Sequence, residues 1–221
     1  MSESFNVFIA TPAYGGMVHT DYVESILPLP ANGVEYACGF LGNSSLITEA
    51  RNELMSIFLT ENFSAFTHLL FLDADVGIPA ASIRRLLDHK KDIIAAPIAK
   101  KGLNPSGKSF YSVENCLEEC ENGLAKVDHV ATGVMLVSRK AAEAAKEWAV
   151  KNNHIYYTKS DEMLNRQNFG GLRYNLFQTC VKDERYVSED FFFCDLVREL
   201  GYDVYVDTAI RTRHNGNYVF M

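Results

Sequence analysis

Two aspartates, Asp73 and Asp75, stand one residue apart after the apolar run "HLLFL", in the segment "HLLFLDADVGIP" (residues 68–79). Carboxylates held that close repel, so either a divalent cation neutralises them or one of them takes up a proton. Oxygen ligands with no cysteine beside them suit magnesium or manganese better than zinc, and such ions complete their shell with water and substrate phosphates. The competing reading is a turn, because aspartate is favoured in turns and ahead of helices. A third ligand would favour the metal. His214, at the end of "IRTRHNG", is the candidate: in an extended segment Thr212 and His214 share one face, and Arg211 and Arg213 share the other. Manganese accepts imidazole, and the arginines suit a diphosphate. The bland alternative is a histidine satisfied at the surface or in the core.

Three further stretches carry chemistry. "SEDFFFCDLVRELG" opens with the acidic pair Glu189 and Asp190. Acids in the first turn of a helix gain about 0.3–1 kcal/mol from the macrodipole, which by itself accounts for them. The functional reading makes Asp190 a general base, provided the fold brings it to an acceptor hydroxyl. "ITEARNELMSIFL" places Arg51 and Asn52 in an otherwise amphipathic helix, where Arg51 clamps a phosphate, steadies the carboxylates or lies on a solvated face. "TPAYGG" (residues 11–16) offers backbone donors and an aromatic face for a nucleobase, without the full glycine pattern of a dinucleotide or Walker loop. It is a nucleotide contact or simply a turn.

The elements that must position these residues alternate between strand and helix. "FNVFIAT" and "VEYACGF" read as strands, with "HTDYVESILPL" a short helix between them. Apolar residues from Ile47 to Phe58 recur at helical spacing, then come the strand at 68–72, a helix from about Pro79 to His89, and the strand "DIIAAPI". This rhythm predicts an α/β fold with a mainly parallel central sheet flanked by helices, and ligand crevices at the carboxyl ends of its strands. After Pro97 a polar loop, "AKKGLNPSGKSFYS", precedes the strands "GLAKVDHV" and "TGVMLVSR" and the helix "RKAAEAAKEWAVKNN". Residues 154–185 are polar, aromatic and irregular, and are expected to form a mobile substrate loop. Ser188 is the expected N-cap of the last helix and Gly201 its stop. No repeat or linker interrupts the 221 residues, so a single domain is expected.

Composition narrows the partners. Hydrophobic residues make up 48% and the net charge is -7, a globular and acidic balance that argues against duplex nucleic acid as a partner. No apolar run is long enough to span a membrane, and "MSESFNVFIATPAYGG" has no basic leader region, so no secretory signal is expected. Five cysteines without metal-ligand spacing read as free thiols in a reducing compartment, which predicts a cytoplasmic location.

Taken in order, "TPAYGG", "ARNEL", "LLFLDADVGIP", "ATGVMLVSR" and "VSEDFFFCDLVRELGYDVYVD...RHNG" resemble the GT-A glycosyltransferases, closest to the family 2 type. The similarity runs from Phe5 to about Gly216. It implies one GT-A (Rossmann-like) domain, residues 1–221, with a nucleotide-binding half to about residue 97 and an acceptor-binding half beyond it. It implies a metal-dependent, inverting hexosyl- or deoxyhexosyltransferase whose donor is a nucleoside-diphosphate sugar, a UDP-sugar by preference, and whose acceptor is a hydroxyl of a glycan or other molecule. By this resemblance "DAD" is the DxD motif: Asp75 is the direct ligand of Mn2+ or Mg2+, and Asp73 lies nearer the ribose or a metal-bound water. His214 completes the metal shell, and Asp190 ends the xED motif as catalytic base. Thr11, Pro12, Ala13 and Tyr14 contact base and ribose, Arg51 the base or phosphate, Ala74 the nucleotide sugar, and Thr132 and Gly133 the donor sugar and acceptor. The competing readings are a non-catalytic nucleotide-sugar-binding module and a haloacid-dehalogenase-type phosphatase. The phosphatase pattern wants its D-x-D near the N-terminus and a threonine or valine where Gly77 stands.

Overall fold

The computed structural model describes residues 5–103, 109–157, 171–216 and 219–220. Its strands are β1 (Phe5–Ala13), β2 (Val34–Gly42), β3 (His68–Leu72), β4 (Val76–Gly77), β5 (Ile93–Ala95), β6 (Ala99–Leu103), β7 (Ser109–Tyr111), β8 (Val113–Glu119), β9 (Leu124–Val130), β10 (Val134–Ser138), β11 (Ile155–Tyr157), β12 (Leu172–Tyr174), β13 (Cys180–Lys182), β14 (Arg185–Val187), β15 (Val204–Asp207), β16 (Arg213–Asn215) and β17 (Val219–Phe220). Five α-helices are described: α1 (Thr20–Ile26), α2 (Ile47–Phe58), α3 (Ala80–Asp88), α4 (Arg139–Lys151) and α5 (Glu189–Glu199).

Eight strands join in the order β2-β1-β3-β10-β5-β15-β9-β8. β1 pairs in parallel with β2 and β3, and β5 with β15. β10 is antiparallel to both β3 and β5, and β9 to both β15 and β8. Followed through these pairings, six of the eight strands run one way, as the alternating sequence predicts, while β9 and β10 make the sheet mixed.

The central strands are apolar on both faces, and alternation sorts their side chains into two cores. Phe8, Ala10, Leu69, Phe71, Met135 and Val137 pack with α2, α4 and α5. Val7, Ile9, Leu70, Leu72, Val134 and Leu136 pack with α1 and α3 on the other side. Four of the five alanines of α4 (Ala141, Ala142, Ala145 and Ala149) are wholly buried, and Ser138 accepts a hydrogen bond from the Ala141 N–H as its N-cap.

Two expectations change. The polar stretch after Pro97 is not a simple loop, because Ala99–Leu103 and Ser109–Tyr111 pair as antiparallel arms; residues 104–108 of that stretch lie outside the described residues. Within the expected substrate loop, β11 pairs with β12 and β13 with β14, and residues 158–170 lie outside the described part.

Candidate functional site

The site assembles where the carboxyl ends of β1 and β3 meet the amino end of β10. β3 stops at Leu72, and the chain turns: the Val76 N–H donates to the Asp73 carbonyl (3.0 Å), and the Asp73 N–H donates to the Gly133 carbonyl (3.0 Å). Because residues 73–75 form a turn and not strand, the two carboxylates diverge and do not share one side as strand alternation would have it. Asp73 is directed to Arg51, and Asp75 to Lys101 and His214.

β4 begins one residue after Asp75 and pairs with β16, with Val76 opposite His214. The Asn215 N–H and side-chain amide both donate to the Asp75 carbonyl, at 2.8 and 3.1 Å. This pairing brings His214 Nε2 to 3.6 Å from Asp75 Oδ1. His214 Nδ1 lies 2.7 Å from the Ala99 carbonyl, which can only accept, so Nδ1 carries a proton and Nε2 faces the carboxylate. Burial pushes the Asp75 carboxyl up, but His214 and Lys101 outweigh it and hold it down to about 2. Burial lowers His214, whereas Asp75 and the Ala99 carbonyl raise it more, leaving it above its ordinary value. An ionised carboxylate opposite an oriented imidazole nitrogen fits a divalent cation. Among the described residues no group of three or more His, Cys, Asp or Glu side chains is gathered for a metal. Asp75 and His214 are therefore brought together, and Asp73 is not part of their cluster.

Arg51 and Asn52 are buried, at 4% and 2% exposure, which removes the solvated-face reading of Arg51. Arg51 Nη2 donates to Asp73 Oδ2 at 3.3 Å and sits 3.1 Å from Oδ1; its Nε lies 3.5 Å from Glu189 Oε1. The two acids at the start of α5 thus divide. Glu189 anchors Arg51, while Asp190 lines a cleft of about 350 Å³ together with Arg51, Asp73, Lys101, Thr132, Gly133 and His214. Asp190 Oδ1 accepts from Ser188 Oγ and from the Phe191 N–H (2.9 Å). Ser188 is the N-cap residue expected, although its hydroxyl serves Asp190 and makes no side-chain cap to the helix backbone. Three buried polar atoms around this cleft lack a directed hydrogen bond: Arg51 Nη1, Asp73 Oδ1 and Thr132 Oγ1. Two donors or hydroxyls and one acceptor left open in this way match a polar, hydroxylated ligand. Gly133 keeps the cleft open, since a Cβ there would lie 2.5 Å from Ile98 Cδ1 and 2.9 Å from Asp73 Oδ2.

The Asp190 cleft is the second of two: the first cleft, about 550 Å³, adjoins it and is lined by Pro12, Tyr14, Met17, His19, Ile47 and the Asp73-Ala74-Asp75 turn, among others. Asp73 borders both. Tyr14 is 69% exposed, so its ring is available to a ligand. Thr11 and Ala13 are buried, and Thr11 Oγ1 hydrogen-bonds to the Tyr22 hydroxyl (2.7 Å) beneath the strand; neither side chain lines the cleft. The arginines near His214 also face elsewhere: Arg213 pairs with Asp21 and Glu24 (both 3.2 Å), and Arg211 donates to the Thr208 carbonyl. Thr212 and His214 do share one face, reaching the carbonyls of Pro97 and Ala99.

Sequence reasoning missed Lys101, whose ammonium contacts Asp75 Oδ2, and the tie from Asn215 to Asp75. A strand reading of "AKKGL" would have put Lys101 on the same side as Ala99, the residue His214 touches. Nothing in the spacing signalled Asn215. The five cysteines are all free thiols, as expected. No described helix is long and apolar enough to cross a membrane.

In sequence, no protein-family model and no curated protein matches the chain. In structure it is similar to the crystal structure of A197 from STIV, with TM-score 0.58 and 17% identity, covering 96% of this chain and 86% of that one. That likeness shows a shared α/β fold along nearly the whole length. It also aligns with the crystal structure of GalNAc-T7 with UDP, GalNAc and Mn2+ (TM-score 0.49, 10% identity, 98% of this chain and 44% of that). A third alignment is to a glycosyltransferase involved in the glycosylation of the major capsid of PBCV-1 (TM-score 0.36, 16% identity, 67% and 66%).

Proposed function

We propose that this chain is a GT-A glycosyltransferase of the family 2 type, metal-dependent and inverting. It moves a sugar from a nucleoside-diphosphate sugar to a hydroxyl of a glycan or other acceptor. The observation that carries this is the pair of adjoining clefts that meet at Asp73, with the Asp75–His214 pair at their junction and Asp190 facing the second cleft. In this reading the single domain divides by function: residues up to about 97 hold the nucleotide, and residues from about 98 onward hold the acceptor.

The base lies against Tyr14 and Pro12 in the first cleft, with UDP as the preferred carrier. The diphosphate crosses the Asp73-Ala74-Asp75 turn, and the sugar enters the second cleft beside Thr132 and Gly133. Asp75 and His214 hold Mn2+ or Mg2+, which when bound supplies positive charge to the departing diphosphate. Arg51 holds the Asp73 carboxylate in place, so that Asp73 Oδ1 accepts from a ribose or sugar hydroxyl or a metal-bound water. The Asp190 carboxylate takes the proton from the acceptor hydroxyl as that oxygen bonds to the anomeric carbon and the bond to the diphosphate oxygen breaks, which inverts the centre. The Ser188 hydroxyl and the Phe191 N–H hold the carboxylate in place.

The test is donor turnover across a panel of nucleotide sugars with Mn2+, reading released nucleoside diphosphate and sugar. Sugar release that depends on Asp190 supports the reading. Binding without turnover for any acceptor would leave a non-catalytic nucleotide-sugar module. Hydrolysis of simple phosphomonoesters without sugar release would make it a phosphatase and overturn the proposal.

A further inference from the structure

The β6–β7 pair reaches over the second cleft and delivers a cation of the protein's own. Lys101, on β6, places its ammonium in contact with Asp75 Oδ2, while His214 Nε2 faces the other oxygen, Oδ1, of the same carboxylate. Two residues earlier on that strand, the Ala99 carbonyl takes the His214 Nδ1 proton. One strand therefore both orients the imidazole and lays a positive charge on the carboxylate that faces it. Lys100, the neighbouring cation, is spent differently, with its ammonium 5.6 Å from the centre of the Phe110 ring. The Lys101 side chain is 41% exposed and the Asp75 side chain 39%, so the ammonium can leave without opening the core.

Resting on the assignment of Asp75 and His214 as a cation seat, we propose that Lys101 is the resident counter-charge of that seat, displaced by the divalent ion and released toward the diphosphate. An ammonium and a divalent cation cannot share one carboxylate oxygen at contact distance, because their charges repel while competing for the same lone pairs. When the lysine holds Asp75, the carboxylate is neutralised and the metal's seat is closed. When a divalent ion takes the carboxylate, Lys101 swings into the cleft it lines with Arg51 and His214. There it meets the negative charge of a nucleoside diphosphate, so ion and nucleotide reinforce each other through one side chain.

The test is calorimetric and needs no turnover. Mn2+ is titrated into the metal-free wild type and into Lys101→Met, Lys101→Arg and Lys100→Met, each checked by circular dichroism; then UDP is titrated at saturating Mn2+. Lys101→Met is expected to bind Mn2+ about tenfold more tightly, Lys101→Arg to stay near the wild type, and Lys100→Met to change by about twofold at most. In saturating Mn2+, Lys101→Met is expected to bind UDP several-fold more weakly. If Lys101→Met does not fold, Lys101→Gln takes its place. Unchanged or weaker Mn2+ binding, an equal gain in Lys100→Met, undiminished UDP affinity, or no Mn2+ binding to any variant overturns the proposal. The two readings fail separately: altered Mn2+ and UDP binding without sugar transfer keeps Lys101's role and removes the transferase, whereas transfer with unaltered binding does the reverse.

Discussion

Asp190 and Glu189 are neighbours in one helical turn, yet they meet different surroundings. Glu189 lies against the Arg51 guanidinium, and Asp190 faces the cleft with a hydroxyl and a backbone N–H on one oxygen. Asp190→Asn is therefore expected to reduce sugar transfer by about 10²–10⁴-fold, the usual contribution of a positioned base, with UDP affinity unchanged by calorimetry. Wild-type turnover by that variant would remove the base. Gly133→Ala should reach the same pocket from another direction. Its methyl would press on Asp73 Oδ2 and Ile98, so the Michaelis constant for the donor is expected to rise while the eight-stranded sheet stays intact by circular dichroism. The types of the key residues were legible from sequence, whereas the grouping of Asp73, Asp75, Arg51, Asp190 and His214 in one region came from the family resemblance and not from their spacing. Their directions were not legible. Whether Asp73 and Asp75 act together depends on a turn's hydrogen bonds, and alternation along a strand says nothing about a turn.

At the scale of elements, α2 shows how a helix can brace a site from behind. Asn52 Oδ1 accepts the N–H groups of Leu176 and Phe177 (both 2.8 Å), and its amide donates to the Phe177 carbonyl (2.9 Å). This fixes the Phe177 ring against Phe71 of β3 and Phe193 of α5, at 5.2 and 4.5 Å between centres. Asn52→Ala would take the bonds from both the Phe177 N–H and the Phe177 carbonyl, while the Leu176 N–H keeps the Tyr174 carbonyl (3.0 Å). A loss of roughly 2–4 kcal/mol is expected, read as a lower urea midpoint with unchanged slope. α2 itself was read correctly from Ile47 to Phe58, because its apolar residues keep the helical period. β8 was missed because it is the polar edge of the sheet, and "VENCLEE" buries too little to show a period of two. The β6–β7 pair was read as a polar loop for its glycine and proline punctuation, and its strand state comes from the antiparallel pairing of Ala99–Leu103 with Ser109–Tyr111 and not from propensity.

For the whole molecule, Asp207 fastens the end of β15 to α3. Its buried carboxylate takes bonds from Arg85 and His89, from and just after α3, and from the Ala209 N–H (3.0 Å). Burial pushes this carboxyl up, yet Arg85, His89 and Ala209 hold it below the ordinary value. A carboxylate depressed in the folded state stabilises the fold fully above its unfolded value, about 3.9, and loses that contribution as pH falls through the folded value. Thermal unfolding between pH 5 and the acid limit is expected to steepen for the wild type (about pH 4 and below) and to flatten for Asp207→Asn, which starts less stable at neutral pH. An equal acid dependence in both proteins would place the sensitivity elsewhere.

The pairing of β4 with β16 bears on the order in which the molecule is completed. Asp75 and His214 are separated by 139 positions (214 − 75), and the strand that carries the histidine is laid down after the last strand of the main sheet. Both aspartates, the cleft at Tyr14 and the wall at Thr132 belong to segments synthesised earlier. A nascent chain lacking β16 would thus have its nucleotide cleft shaped while half of its cation seat was missing. On the proposed reading, competence to hold the ion would arrive only once β16 has paired with β4, which separates a chain lacking β16 from one that has it by metal affinity and not by the shape of the main sheet.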